Sequence, residues 1–438
     1  MFSTTQVSSE SESVVQRLHD HIVAKDLVQH VAVEHVTSYL KPGTGVPFKP
    51  QQTTWHRFLD ELCHLCDFKG GGKTVRSIAV ENTSSSGTIF WAASTYTDSA
   101  AFEQHLLALL GVLKRLSARN SRTEETAAAI NDLSVDKASG RIKVYSALFI
   151  ESANQAIRKL STSTAPADRT LLTVLKELKT SSDSFPALCR GAYDKFRHTE
   201  AQARLNYLIE HDHDTLWTHL RHRIGRLGSF KRASRFLAKN APKFADIIRD
   251  AKVKLVDSQP RVRTPISVGP DLETLLTRVC PWLKQEAILA QATKKLETAE
   301  NKLKSLREHT LMPIVHAEIL ILNHFFTKDL RFVNDDRYIG CSKPSCYCCS
   351  LYFDAHPGNF VQRPCHGNAY VKWSPPRSQT GALSAVTVNV LESMTLDIQG
   401  ELRVQILNDI YGRKRSRDSE TGMTASWNGQ TETLAGPA

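Results

Sequence analysis

The sequence predicts an α/β chain: a small mixed sheet with helices on both faces, carrying a large all-α insertion. Three observations lead there. Short β-branched and aromatic runs at 75–80 and 88–93 flank a Ser/Gly-rich loop and read as a hairpin. From about 99 to 308 the apolar periodicity is almost only helical. After 313 short strands and short helices return, around a cluster of cysteines with a histidine just upstream.

Taken in order, 1–50 reads as an N-terminal helical and disordered segment. Residues 1–12 are rich in Ser, Thr and Glu and read as disordered, with a helix over 13–29. Residues 51–98 hold a helix over 54–68, where Trp55, Phe58, Leu59, Leu62, Leu65 and Cys66 share helical spacing. Gly70, Gly71 and Gly72 stop it, and the hairpin follows. Residues 99–308 form the basic all-α insertion. Its helices are expected at 99–117, 124–132, 142–160, 168–179, 186–210, 241–255 and 271–308, punctuated by Pro242, Pro260, Pro265 and Pro270. No fixed-period repeat is evident.

Residues 309–411 read differently. Pro313 suits the first turn of a helix over 314–326, where its missing N–H costs nothing. A short strand over 337–340 follows, then a helix over 345–355 opened by Pro344. Strands are expected at 360–362 and 369–373, the second ended by Pro375 and Pro376, and a last helix at 388–410. The tail, 412–438, reads as disordered and polar. Its basic run, Arg413, Lys414, Arg415 and Arg417, has the composition of a nuclear localisation cluster.

Length and composition bound the function. At 438 residues, one large or two modest domains are expected. With 41% hydrophobic and 23% charged residues the chain reads as soluble and globular. The start lacks the pattern of a secretory signal, and the longest clean apolar run, 106–113, is far too short to span a bilayer. An intracellular protein, nuclear or cytoplasmic and without membrane partners, is expected. Of nine cysteines, five fall within 341–365, which reads as reduced thiols around a metal rather than a disulfide framework.

The net charge of +11 is uneven: residues 221–254 alone carry +9. A polyanion such as nucleic acid is one reading, with Arg223, Arg226, Lys231, Arg232 and Arg235 as the candidate contacts. A solvated face, or one paired with acidic segments elsewhere, is the other.

The chemistry is concentrated in His316-Ala-Glu318 and Cys346-Tyr-Cys-Cys349. Zinc takes nitrogen and sulfur ligands in a tetrahedron and keeps one position open in a catalytic site. His316, Cys346 and Cys349 can fill three positions, since cysteines at i and i+3 share a helix face. A helix start also favours the thiolate. Cys348 reads as a small buried residue. Glu318, two residues after the histidine, would stand beside the metal's water as its acid/base. Neither half is informative alone. His198-Thr-Glu200 repeats the first and Cys63-His-Leu-Cys66 the second, and both read as packing. Order and placement single out the later pair, which a structural zinc site, or buried thiols beside a core histidine, would also match.

The segments HAEILILNHFF (316–326), RYIGCSKPSCYCCSLYF (337–353) and CHGNAYVKW (365–373) resemble the OTT_1508-like deaminase family, many of whose members are fungal. The resemblance spans roughly 313–375. It implies a cytidine-deaminase-like three-layer fold, a zinc cofactor on His316, Cys346 and Cys349, and Glu318 as acid/base of a hydrolytic deamination of a cytosine- or adenine-type base. One departure is Ser345, standing between Pro344 and the first cysteine.

The superfamily core has a hairpin before its His-x-Glu helix. Helix 54–68 and the hairpin at 75–93 would therefore join 313–375 in a split domain, with the helical region as a long insertion. Two consecutive domains are the alternative. Related deaminases carry a substrate-binding Asn at the hairpin's end. Here Ser94 holds that place, so substrate choice stays open. His366 could line the pocket or cap a turn, and Trp373 could stack on a base or belong to the core. A catalytically inactive interaction module and a deaminase of free nucleotides remain as alternatives to one acting on single-stranded nucleic acid. The oligomeric state is not legible.

Overall fold

The structure is a computed structural model. It describes residues 4–32, 52–69, 75–83, 87–95, 99–118, 122–212, 214–256, 265–283 and 286–407. In chain order the elements are α1 (Thr4–Val31), α2 (Thr54–Leu65), β1 (Arg76–Thr83), β2 (Gly87–Ser94), α3 (Ser99–Ala118), α4 (Thr123–Lys137), α5 (Ser139–Leu160), α6 (Pro166–Thr180), α7 (Phe185–Asp194), α8 (Glu200–His211), α9 (Thr215–Asn240), α10 (Ala245–Arg249), β3 (Lys252–Leu255), α11 (Leu272–Val279), α12 (Glu286–Lys295), α13 (Glu300–Glu308), α14 (Ala317–Thr327), β4 (Gly340–Cys341), α15 (Tyr347–Ala355) and α16 (Ala385–Leu407). The chain is therefore mixed α/β and mostly helical. The basic run at 413–417 and the rest of the tail lie outside the described residues. No helix among the described residues is long and apolar enough to cross a membrane.

The chain divides into two compact units. The first gathers, among described residues, 4–32, 52, 77–81, 255–256, 265–283 and 286–407. The middle of β1 belongs here because it pairs antiparallel with β4, with Ser77 opposite Cys341 and Ile78 opposite Gly340. α14 is buried nearly all round, through Ile319, Leu320, Ile321, Leu322 and Phe325, as its apolar sequence requires. α1 and α16 pack together, and Lys25 of α1 reaches Glu401 at 2.5 Å and Gln405 at 2.9 Å.

The second unit comprises, among described residues, 53–76 and 82–254. Its centre is α9, against which α2, α4, α5 and α7 pack. Leu216, Leu220, Ile224, Leu227, Phe230, Ala233 and Leu237 are its buried stripe. Asp214 caps it by accepting the Leu216 N–H at 2.8 Å. Gly228 is required where α9 meets α7: a Cβ there would lie 3.2 Å from the backbone of Tyr193. β2 and residues 252–254 of β3 lie in this unit, and Thr88 of β2 donates to the Ile247 carbonyl at 2.6 Å.

Several expected elements differ. α1 begins at Thr4, so the Ser/Thr/Glu-rich start is helical. Glu12, on its exposed face, meets Arg377 at 2.6 Å and anchors this end. α9 has no counterpart among the expected helices, since its cations obscure the apolar stripe. The helix expected over 186–210 is two: His198, with φ of 56°, breaks it, and Thr199 caps the second half. The helix expected over 241–255 gives way to β3, whose Lys-Val-Lys alternates exposed and buried. The one expected over 271–308 is broken at Cys280 and near Leu296 into α11, α12 and α13. The strands expected at 360–362 and 369–373 do not form; single bridges, Ser345 with Cys365 and Ile314 with Trp373, stand in their place.

Candidate metal centre

The site is built where two helix starts converge in the first unit. His316 is the N-cap of α14, with extended backbone (φ −75°, ψ 150°). Cys346 is the N-cap of α15, also extended (φ −76°, ψ 169°), and its sulfur accepts the Cys349 N–H at 3.3 Å. Pro313 and Pro344 are thus not first-turn residues. Pro313 precedes an extended stretch in which the Ile314 N–H donates to the Lys372 carbonyl at 2.7 Å and the Ser374 N–H to the Ile314 carbonyl at 2.9 Å. That two-sided tie fixes the line on which His316 arrives.

His316 Nδ1 lies 3.5 Å from the Cys346 sulfur and 3.3 Å from the Cys349 sulfur. The three ligand atoms lie within 4.8 Å of one another, and no other such group occurs among the described residues. A tetrahedral zinc with bonds of about 2.1 Å to nitrogen and about 2.3 Å to sulfur sets those atoms about 3.6 Å apart. The donor set and its spacing fit the ion.

Electrostatics favour charge on His316 and Cys346, whereas burial and the neighbouring Cys346 and Glu318 push the Cys349 thiol up. Burial opposes charge on His316, but the Cys346 thiolate, its hydrogen bond and the Glu318 carboxylate outweigh it, taking the imidazole up to about 9. Burial likewise opposes the Cys346 thiolate, yet hydrogen bonds from Cys348 and Cys349 and the charge of His316 hold this thiol well below its usual range. An anionic sulfur at a helix start is what a metal ligand requires.

Glu318 stands in the first turn of α14, buried, and outside the ligand group. Its Oε2 accepts from the Cys341 thiol at 3.9 Å. Burial and the Glu318 charge push that thiol up to about 12, so it stays protonated as a donor. Cys348 is fully buried and outside the ligand group, as expected. Cys63 and Cys66 are buried in the core of the second unit.

The other candidates fall in different places. His366 is buried, with its Nδ1 accepting the Asn368 N–H at 3.1 Å, a turn-capping bond. Tyr370 stands edge-on to it at 5.8 Å and edge-on to His316 at 5.9 Å. Trp373 is fully buried beside Tyr352, with its Nε1–H donating to the Cys349 sulfur at 3.3 Å. It therefore presents no open face on which a base could stack. Ser94 ends β2 in the second unit, its buried Oγ without a hydrogen-bond partner among the described residues.

The five α9 cations each have partners inside the second unit. Arg223 donates to the Leu148 carbonyl at 2.7 Å, and Arg226 lies 5.0 Å over the Tyr145 ring. Lys231 meets Asp194 at 2.7 Å and Arg235 meets Glu124 at 2.7 Å. Arg232 forms a buried two-pronged pair with Glu61.

Residues 315–377 match the OTT_1508-like deaminase family. No curated protein and no solved structure matches the chain. The matched segment contains all three ligand candidates, Glu318, Cys341, His366 and Trp373. It does not contain the side chains of α1 that brace it. Gln29 donates to the Gly367 carbonyl at 2.6 Å and accepts the Ala369 N–H at 3.0 Å, while His19 Nε2 bonds the Trp373 carbonyl at 2.9 Å. Those helix residues carried no signal in the sequence. Cys341 did, as a member of the cysteine cluster.

Proposed function

We propose that the chain is a zinc-dependent hydrolytic deaminase of an amine-bearing nucleobase, of cytosine or adenine type. One observation carries the reading. A His/Cys/Cys group of zinc-compatible spacing lies in a deaminase segment, with the buried Glu318 two residues from the histidine and not spent as a ligand. A structural zinc site has no use for that acid.

Zinc held by His316, Cys346 and Cys349 would supply a Lewis acid that makes water a nucleophile at neutral pH. Glu318 accepts a proton from the attacking water and returns it to the ring nitrogen. It then takes the remaining proton from the added hydroxyl and passes it to the departing amine, so that water and the C–NH2 group become C=O and ammonia. Convergent helix starts favour the thiolate ligands.

The catalytic unit is discontinuous in this reading, because residues 77–81 of β1 group with the described residues after 254, and Ser77 and Ile78 pair with β4 beside the site. The carrier of the base is the finer question. The net charge of +11 supports single-stranded nucleic acid, in which the base is within reach. The internal pairing of the five α9 cations supports a free nucleotide instead.

Zinc quantification with assays for C-to-U and A-to-I conversion on single-stranded DNA, RNA and free nucleotides tests the reading. Conversion that is lost in Glu318→Ala supports it. Bound zinc with no conversion of any substrate would return the chain to a zinc-stabilised interaction module.

A further inference from the structure

Trp373 touches both arms of the candidate metal centre. Its indole is fully buried, and the Nε1–H donates to the Cys349 sulfur at 3.3 Å. Its backbone bridges Ile314, two residues before His316. Its carbonyl is bonded by His19 of α1 at 2.9 Å. One residue thus contacts a thiol ligand, braces the strand that delivers the imidazole, and is itself held from a helix more than three hundred positions earlier in the chain.

We propose that Trp373 is a positioning residue of the metal centre, whose indole N–H hydrogen-bonds the Cys349 thiolate and so sets metal affinity and the electron density on that sulfur. The inference rests on the zinc reading above and assigns it a residue outside the ligand set. A buried indole N–H needs an acceptor, and here that acceptor is sulfur. A donor aimed at a thiolate stabilises the anion, fixes its rotamer and withdraws charge from the metal bond. A tryptophan present only as packing would make carbon contacts and gain nothing from this orientation. Tyr352 fills that packing role on its other side, with ring centroids 5.9 Å apart.

The test uses the full chain, with zinc affinity measured by chelator competition and cobalt(II) as a spectroscopic stand-in. Trp373→Phe removes the N–H and should weaken zinc binding about tenfold, the lower end of the effect of losing such an outer partner. The thiolate-to-cobalt charge-transfer band should also shift, which a loss of packing alone would not cause. Should the Phe variant not fold, replacing Trp373 by 3-benzothienylalanine keeps the ring shape and removes only the N–H, with the same expectation. Zinc affinity within about twofold of wild type, together with an unmoved band, overturns the proposal. A wild-type chain that binds neither zinc nor cobalt overturns the metal-centre reading itself, and this inference falls with it.

Discussion

The thiol of Cys341 reaches the carboxylate of Glu318 across 3.9 Å, from β4 to the first turn of α14, with both side chains buried. A carboxylate in so dry a place depends on each donor it has. Cys341→Ala should lower kcat about fivefold, corresponding to the net ~1 kcal/mol of one such bond, with KM and zinc content unchanged. Steady-state kinetics on zinc-quantified protein checks this. A loss of zinc instead would move Cys341 into the ligand set.

The three cysteines of α15 and its cap should separate by role. Cys346→Ser and Cys349→Ser should each lose zinc, and the midpoint of thermal unfolding should then no longer respond to chelator. Cys348→Ala should keep the metal, losing the packing of a small buried group and its hydrogen bond to the Cys346 sulfur, about 1–2 kcal/mol together. Metal content and thermal melts of the three variants, with and without chelator, decide it.

Acid should destabilise the second unit through His105. Burial holds this imidazole down to about 4, against an ordinary 6.5, with its ring edge-on to Phe68 at 5.1 Å. The folded-state value is depressed, so the unfolded chain binds the proton first. The contribution to stability is whole above about 6.5 and is lost as pH falls toward about 4. His105→Phe cannot titrate and should flatten that limb. Unfolding midpoints measured from neutral pH down to about 4 show whether it does.

Arg232 should matter for folding rather than for ligands. It is bound to Glu61 in the interior of the second unit. Arg232→Met leaves that buried carboxylate with only the longer contact to Arg57 at 3.5 Å, which should cost about 3 kcal/mol in denaturant unfolding. Arg235→Ala, which breaks the exposed pair with Glu124, should cost less than about 1 kcal/mol. Equal effects would contradict the assigned burial roles.

The readable parts of the molecule were those where local chemistry decides. The hairpin announces itself by β-branched runs, and the ligand set by residue types that have few other reasons to cluster. α9 was hidden because cations at seven of its positions obscure a stripe that is nonetheless complete. The strands expected at 360–362 and 369–373 are absent: alternation in a few residues does not distinguish a strand from an extended loop. The braces from His19 and Gln29 were illegible for a different reason. A polar side chain on a helix looks solvated until the surface opposite it is known.

In the proposed reaction Glu318 moves protons at a zinc centre held by His316, Cys346 and Cys349. The most direct measurement is ammonia release from cytosine- and adenine-bearing substrates by wild type and Glu318→Gln, with zinc determined on the same samples. Equal zinc in both proteins and ammonia from the wild type alone are expected. Undiminished release by Glu318→Gln, or turnover by wild type stripped of zinc, would contradict the proposed reaction.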